Sequence, residues 1–380
     1  MRGSRMQPEH HPRSLPGKAA GLPRRRLLAQ AGASLLSLAA PSAVRAAPVL
    51  SRGINIPGWF DRPDGIAPVP VVLEKLRGCG FDTVRLPIDG DVVLSGPRLL
   101  RAVRQGIETL LEAGFTVLAD LHPSARLHAA LRADPLAGGD RVADAWTALS
   151  AALADLPAEK VQAELLNEPP MTTAAWLALR QRLAEIVRRA CPRHTLVWGP
   201  ALDQGLWRLA ETPPLADDRQ VAAVHFYAPM AFTHQCQSWG ASPLARLGGL
   251  PFPATKTMPR LREKIAALRA AGDEAAADLL AGELATDWTP AAIRTAFRRA
   301  ADWSAATGCP LMLNEFGVLD VCVDPASRRA WVRAVRRAAQ ENGIGWAYWE
   351  LDQGFGLIAD RRRTAGFDDG MLDALFGTGG

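Results

Sequence analysis

Between residues 53 and 348 the chain alternates short apolar runs with longer segments of helical periodicity, about eight times over. A strand that is followed each time by a helix must return to the same end of its sheet, so the strands run parallel. The strands are expected near 53–56, 83–86, 116–120, 162–166, 195–198, 222–225, 311–314 and 345–348. Helix-ending glycines or prolines announce several of them, at Gly80, Gly114, Gly308-Cys309-Pro310 and Gly343. Helical periodicity is clear over Pro97 to Ala113, Thr172 to Ala190, Pro290 to Thr307 and Ser327 to Asn342. Eight such units predict an α/β fold, a single (β/α)8 TIM barrel. Most connections are short, but 228–289 is far longer than one helix needs, which predicts an extended loop and helical insertion after the sixth strand.

Ahead of the first strand, Arg24-Arg25-Arg26-Leu27-Leu28 precedes an apolar run to Ala40 and then Val44-Arg45-Ala46. This order predicts a twin-arginine-type export signal over 1–46, with the barrel as 47–380 and the mature protein periplasmic or extracellular. The apolar run is shorter than the roughly 20 residues that span a bilayer, so no stable membrane insertion is expected. The leader also accounts for the positive charge. Its eight basic side chains face one acid, Glu9, so a chain of net charge +5 leaves −2 on the remainder. That removes the charge argument for a nucleic-acid partner. A monomer is expected.

Five cysteines without a CxxC pair exclude a disulfide-dense scaffold and a standard zinc site. Cys79, Cys191 and Cys309 each precede an expected strand, where thiols behave as small hydrophobes. Cys236 and Cys322 fall in loops after strands, where pairing in an oxidising compartment is open to them.

Unusual polar residues recur at the carboxyl ends of the expected strands. Arg85 ends the second, His122 follows the third, and Asn167-Glu168-Pro169 ends the fourth. His225-Phe226-Tyr227 ends the sixth, Asn314-Glu315 the seventh, and Tyr348-Trp349-Glu350 the eighth. In a parallel barrel those ends converge on the face that carries chemistry. Each residue taken alone reads as a cap, an ion-pair partner or a core residue; it is the joint recurrence that points to a site.

Two glutamates on one rim suit glycosidic bond cleavage, in which one carboxylic acid protonates the leaving oxygen and a second carboxylate attacks the anomeric carbon. Glu168 is expected to be held protonated by partial burial and by the second carboxylate. Glu315 is expected to be held ionised by Arg85 and Tyr227. A metal set of His122, His225 and a carboxylate is open by residue type, although no HExxH-like spacing supports it. No cofactor and no metal are expected.

In chain order, Arg85, His122, Asn167-Glu168-Pro169, His225-x-Tyr227, Glu315 and Trp349 resemble the pattern of glycoside hydrolase family 5, the cellulase family, from about Arg52 to Asp369. The resemblance implies Glu168 as acid/base, Glu315 as nucleophile and Asn167 as a partner of the sugar 2-hydroxyl. It further implies Tyr227 as a donor to the nucleophile and Trp349 as a sugar platform, with Arg85, His122 and His225 shaping the subsite at the cleaved bond. Trp59, Trp207, Trp239 and Trp288 offer apolar ring faces to pyranose C–H groups, Trp59 and Trp239 foremost. The expected activity is retaining, endo-acting hydrolysis of β-glucan, with β-1,4-glucan first and β-1,3-glucan or β-mannan as alternatives. A non-catalytic carbohydrate-binding barrel is the rival from outside enzymology, and its expected sign would be the loss of one glutamate.

Overall fold

Eight parallel strands close in chain order, from β1 (Arg52–Asn55) through β2 (Thr83–Ile88), β3 (Thr116–Leu121), β4 (Val161–Glu164), β5 (Thr195–Trp198), β6 (Gln220–His225) and β7 (Leu311–Glu315) to β8 (Gly345–Tyr348). β1 pairs with both β2 and β8, with Ile54 opposite Val84 on one side and Tyr348 on the other. The fold is a single (β/α)8 barrel. This computed structural model describes residues 52–240, 242–363 and 366–377; the leader, 1–46, lies outside the described residues.

Strand side chains alternate between two faces. One set, Leu118, Val197, Val221, Ala223, Met312 and Ala347, forms a small cluster that fills the barrel interior. The other set joins the large core between strands and helices, with Trp146, Trp176, Trp198, Trp331 and Trp346 fully buried. Two residues further along the inward-facing positions the filling changes from apolar to polar. Asn55, Arg85, Asp120, Glu164, His225 and Asn314 stand there, all buried. A register shift between Val224 and His225 pairs His225 with Glu315 rather than Asn314. Such an irregularity turns neighbouring side chains toward the same opening.

The helices begin and end where the local chemistry allows. Thr172, Thr289 and Asp324 each accept a hydrogen bond from a first-turn amide, the last two with a proline at the first turn, and Gly80 and Gly308 close helices in the left-handed region. Strand β4 stops at Glu164, short of the expected 166. Beyond it the amides of Leu165 and Asn167 bond to opposite neighbours, Val197 O and Leu121 O, and Glu168 enters the left-handed region at φ 41°.

Between β6 and β7 lie Met230–Thr233, a 3-10 turn at Pro243–Arg246, and helices Pro259–Ala270 and Glu274–Glu283, ahead of the helix Pro290–Thr307. A disulfide joins Cys236 in this connection to Cys322 in the loop after β7. Cys191 and Cys309 are buried free thiols, each pushed up to about 11 by burial. No helix among the described residues is long and apolar enough to cross a membrane.

Candidate active site

Glu315, the last residue of β7, is held at both oxygens. Arg85 Nη1 donates to Oε1 at 2.5 Å and Tyr227 Oη donates to Oε2 at 3.0 Å. Burial, followed by the Glu315 charge, raises the Tyr227 phenol well above its ordinary value, so it remains a donor.

Glu168 stands opposite, with its side chain 39% exposed to the opening and His225 Nδ1 2.9 Å from its Oε1. The same nitrogen lies 3.5 Å from Glu315 Oε2. Burial works to raise the Glu168 carboxyl, but the His225 hydrogen bond and charge, aided by His122 and Arg85, outweigh it and hold the group below its usual range. His225 is held above the usual histidine range: burial works against its charge, but Glu315 and Glu168 prevail. This corrects the expectation that Glu168 itself retains the proton. In the free protein the carboxyl of the pair is held low and its imidazole high, because the carboxylates on either side of the imidazole favour its charge more than burial opposes it.

The centre of the site is Arg85, fully buried. It donates Nε and Nη2 to Glu164 at 2.6 and 3.0 Å, Nη2 to Asn167 Oδ1 at 2.8 Å, and Nη1 to Asn55 Oδ1 at 3.0 Å. Asp120 lies 2.9 Å from Nη2 and is also 2.8 Å from His122 Nδ1. Burial would lower the Arg85 guanidinium, but Asp120, Glu164 and Glu315 more than offset it and raise it well above its ordinary value. Asn314 Nδ2 adds a 2.7 Å bond to Glu164. A buried cation is tolerated only when paired and hydrogen-bonded in this way.

The sequence matches the model of the cellulase family, glycosyl hydrolase family 5, over residues 44–354. The chain belongs to that family. Endoglucanase 3 of Fibrobacter succinogenes is 25% identical over 363 residues, covering 87% of this chain and 54% of the relative, so the chain spans about half of that protein's length. Cel5A of Thermotoga maritima, solved with cellobiose, superposes with a TM-score of 0.70 at 23% identity over 86% of this chain and 98% of that one. The same protein solved with mannotriose gives 0.71 at 23% identity over 88% and 99%.

Within this family 5 barrel the expected residues Arg85, His122, Asn167, Glu168, His225, Tyr227, Glu315 and Trp349 share one end. Trp349 stacks on His122, ring centres 5.9 Å apart and planes 15° from parallel. Gly317 lets it sit there, since a Cβ at that position would overlap the Trp349 carbonyl. Trp239 is 51% exposed and leans on Phe355 and His234, and Trp207 is 54% exposed. Trp59 differs from expectation. It is 9% exposed and stacked on Phe60 at 4.9 Å, so its ring is used in the core and is not an open platform. Trp288 likewise packs on Phe226 and donates Nε1 to Glu283 O.

Several residues of the site escaped the sequence reading: Asn55, Asp120, Glu164 and Gln204, while Asn314 was placed on the rim without a role. A signal existed for Glu164. It is a charged residue at an inward position of a strand whose neighbours are apolar, and such a residue needs a partner.

Proposed function

We propose that this chain is a retaining, endo-acting β-glycoside hydrolase in which Glu315 is the nucleophile and Glu168 the acid/base. The observation that carries the proposal is the spacing of the two glutamates: one carboxylate oxygen from each and a His225 nitrogen lie within 4.8 Å of one another. Retaining glycosidases hold their carboxyl groups about 5–5.5 Å apart, whereas inverting ones leave about 6.5–9.5 Å for a water.

In the first step Glu315 attacks the anomeric carbon while the glycosidic oxygen leaves with a proton from Glu168, which His225 supplies in turn. The product is a covalent glycosyl-enzyme. In the second step water attacks the anomeric carbon, Glu168 takes its proton, and the Glu315 carboxylate is released. Arg85 and Tyr227 steady the charge that returns to Glu315. Asn167, held by Arg85, faces the sugar 2-hydroxyl. Trp349 and Trp239 provide apolar ring faces for pyranose rings.

β-1,4-Glucan is the first substrate, supported by relatives named as endoglucanases. β-Mannan and β-1,3-glucan are the alternatives, and the mannotriose complex of the Thermotoga protein supports testing mannan. We read 1–46 as a twin-arginine-type leader and 228–289 as an insertion in the 47–380 barrel. The Cys236–Cys322 bond favours an exported protein, since such bonds persist in oxidising compartments.

The test is to incubate the protein from Ala47 onward with soluble β-1,4-glucan, mixed-linkage β-glucan, β-1,3-glucan and β-mannan, following reducing ends and product anomer by NMR. First release of the β-anomer supports retention and names the linkage, while first release of the α-anomer removes Glu315 as nucleophile. Turnover abolished by a chelator and restored by a divalent cation would move Glu168, His225 and Glu315 to a metal site.

A further inference from the structure

We infer that Gln204 is a positioning residue for the acid/base glutamate, and this inference rests on the glycosidase reading above. Gln204 lies in the loop after β5 and is completely buried. Its Oε1 accepts from the Glu168 backbone N–H at 3.0 Å, and its Nε2 donates to Glu164 Oε1 at 3.2 Å. Its own carbonyl accepts from the His225 N–H at 2.9 Å. One residue therefore holds the backbone of Glu168, the backbone of the imidazole bonded to the Glu168 carboxylate, and the carboxylate that fixes Arg85.

The local backbone shows how closely this arrangement is specified. Glu168 and Gln204 both occupy the left-handed region, at φ 41° and 50°. Non-glycine residues are uncommon there and persist only when surrounding contacts hold them. The amide of Leu202 donates to Pro169 O at 2.8 Å, so the two loops are joined at a second point. Beneath Gln204 lies Gly199, at the end of β5, where a Cβ would overlap Cγ and Cδ of the glutamine. The glutamine side chain thus occupies the space a larger residue would fill, and its direction toward Glu168 follows from that cradle.

Displacing a reacting group by about 1 Å can cost about 100-fold in rate. Gln204 acts through Glu168, so its loss should matter in proportion to how much the reaction needs a proton. Cleavage of a phenyl glycoside needs protonation of the departing oxygen. Cleavage of a 2,4-dinitrophenyl glycoside does not, because the departing phenolate is already stable.

The experiment compares wild type, Gln204→Leu and Gln204→Met on phenyl and 2,4-dinitrophenyl β-glycosides of the disaccharide that the wild type accepts. The readout is kcat/KM, which reports the first bond cleavage. The expected result, in both variants, is a loss on the phenyl glycoside at least about 10-fold greater than on the dinitrophenyl glycoside, the smaller loss reporting the Gln204 bond to Glu164 that both reactions share. The ratio of the two values is independent of how much of a variant is folded, so poor folding does not obscure it. Equal losses on both glycosides would overturn the inference and leave Gln204 as a structural residue only. Wild type inactive on the aryl β-glycosides of every disaccharide tried, cellobiose and mannobiose included, would instead overturn the glycosidase reading, and the positioning role with it.

Discussion

The His225 imidazole stands 2.9 Å through Nδ1 from Oε1 of Glu168, and the two groups sit on opposite sides of their ordinary values, the imidazole raised by the Glu315 charge and then by this hydrogen bond, the carboxyl lowered by the same bond against its burial. The proton needed by the leaving oxygen is therefore stored on the pair rather than on the carboxyl alone.

This arrangement sets the basic limb of the pH profile. Because the pair surrenders its proton at the raised histidine value, kcat/KM should stay high through pH 6.5 and fall only above it. With His225→Ala the limb reports Glu168 alone, a carboxyl that burial raises but that starts from an ordinary value near about 4.3, and it should move acidward. A pH profile of kcat/KM for both proteins checks the shift, and an unmoved limb would place the proton elsewhere.

Glu315→Ala and Glu168→Ala should each lower kcat on polysaccharide by at least about 1,000-fold while far-UV circular dichroism stays that of the wild type. On a 2,4-dinitrophenyl glycoside, whose leaving group needs no proton, added azide should restore turnover in both, giving an α-glycosyl azide with Glu315→Ala and a β-glycosyl azide with Glu168→Ala. The opposite pairing of anomers would exchange the two roles.

Trp239→Ala should raise KM on polysaccharide severalfold and leave kcat on a small aryl glycoside near wild type, because the ring is half exposed and bonded to neither glutamate. Steady-state kinetics on the two substrates separates these effects.

The Cys236–Cys322 bond spans 86 residues of sequence, and a loop of that size implies about 4.6 kcal/mol of stabilisation in the chain-entropy account. The double change Cys236→Ser, Cys322→Ser should lower the unfolding free energy by that amount in urea. Dithiothreitol should do the same to wild type and nothing further to the variant.

Glu350 accepts hydrogen bonds from the amides of Asp352, Gln353 and Phe355, yet burial raises it from 4.5 to about 7. For an acid whose folded value is raised, the stabilising contribution is complete below pH 4.5 and is lost as pH rises through 7. From pH 5 to pH 8 wild type should therefore lose about 2.5 kcal/mol relative to Glu350→Gln, read from urea unfolding of both at each pH.

Much of this was legible in the amino-acid order. The alternation of apolar runs and helical periods specifies eight parallel strands, because each pattern is local and repeats with the backbone's own period. Once parallel strands are accepted, their carboxyl ends must converge, so Arg85, Glu168, His225, Tyr227 and Glu315 could be assigned to one rim without knowing a single distance. Tertiary structure decided what each group experiences there. Arg85 meets Glu164 and Glu315 across 79 and 230 residues of sequence, and a strand pattern says that a charge faces inward but not which charge it meets. Trp59 and Trp239 read alike in the sequence, yet one is stacked in the core and the other open, because exposure depends on what other segments cover. The raised basicity of His225, and the grip of Gln204 on Glu168, follow from field and contact among residues that only folding brings within a few ångströms.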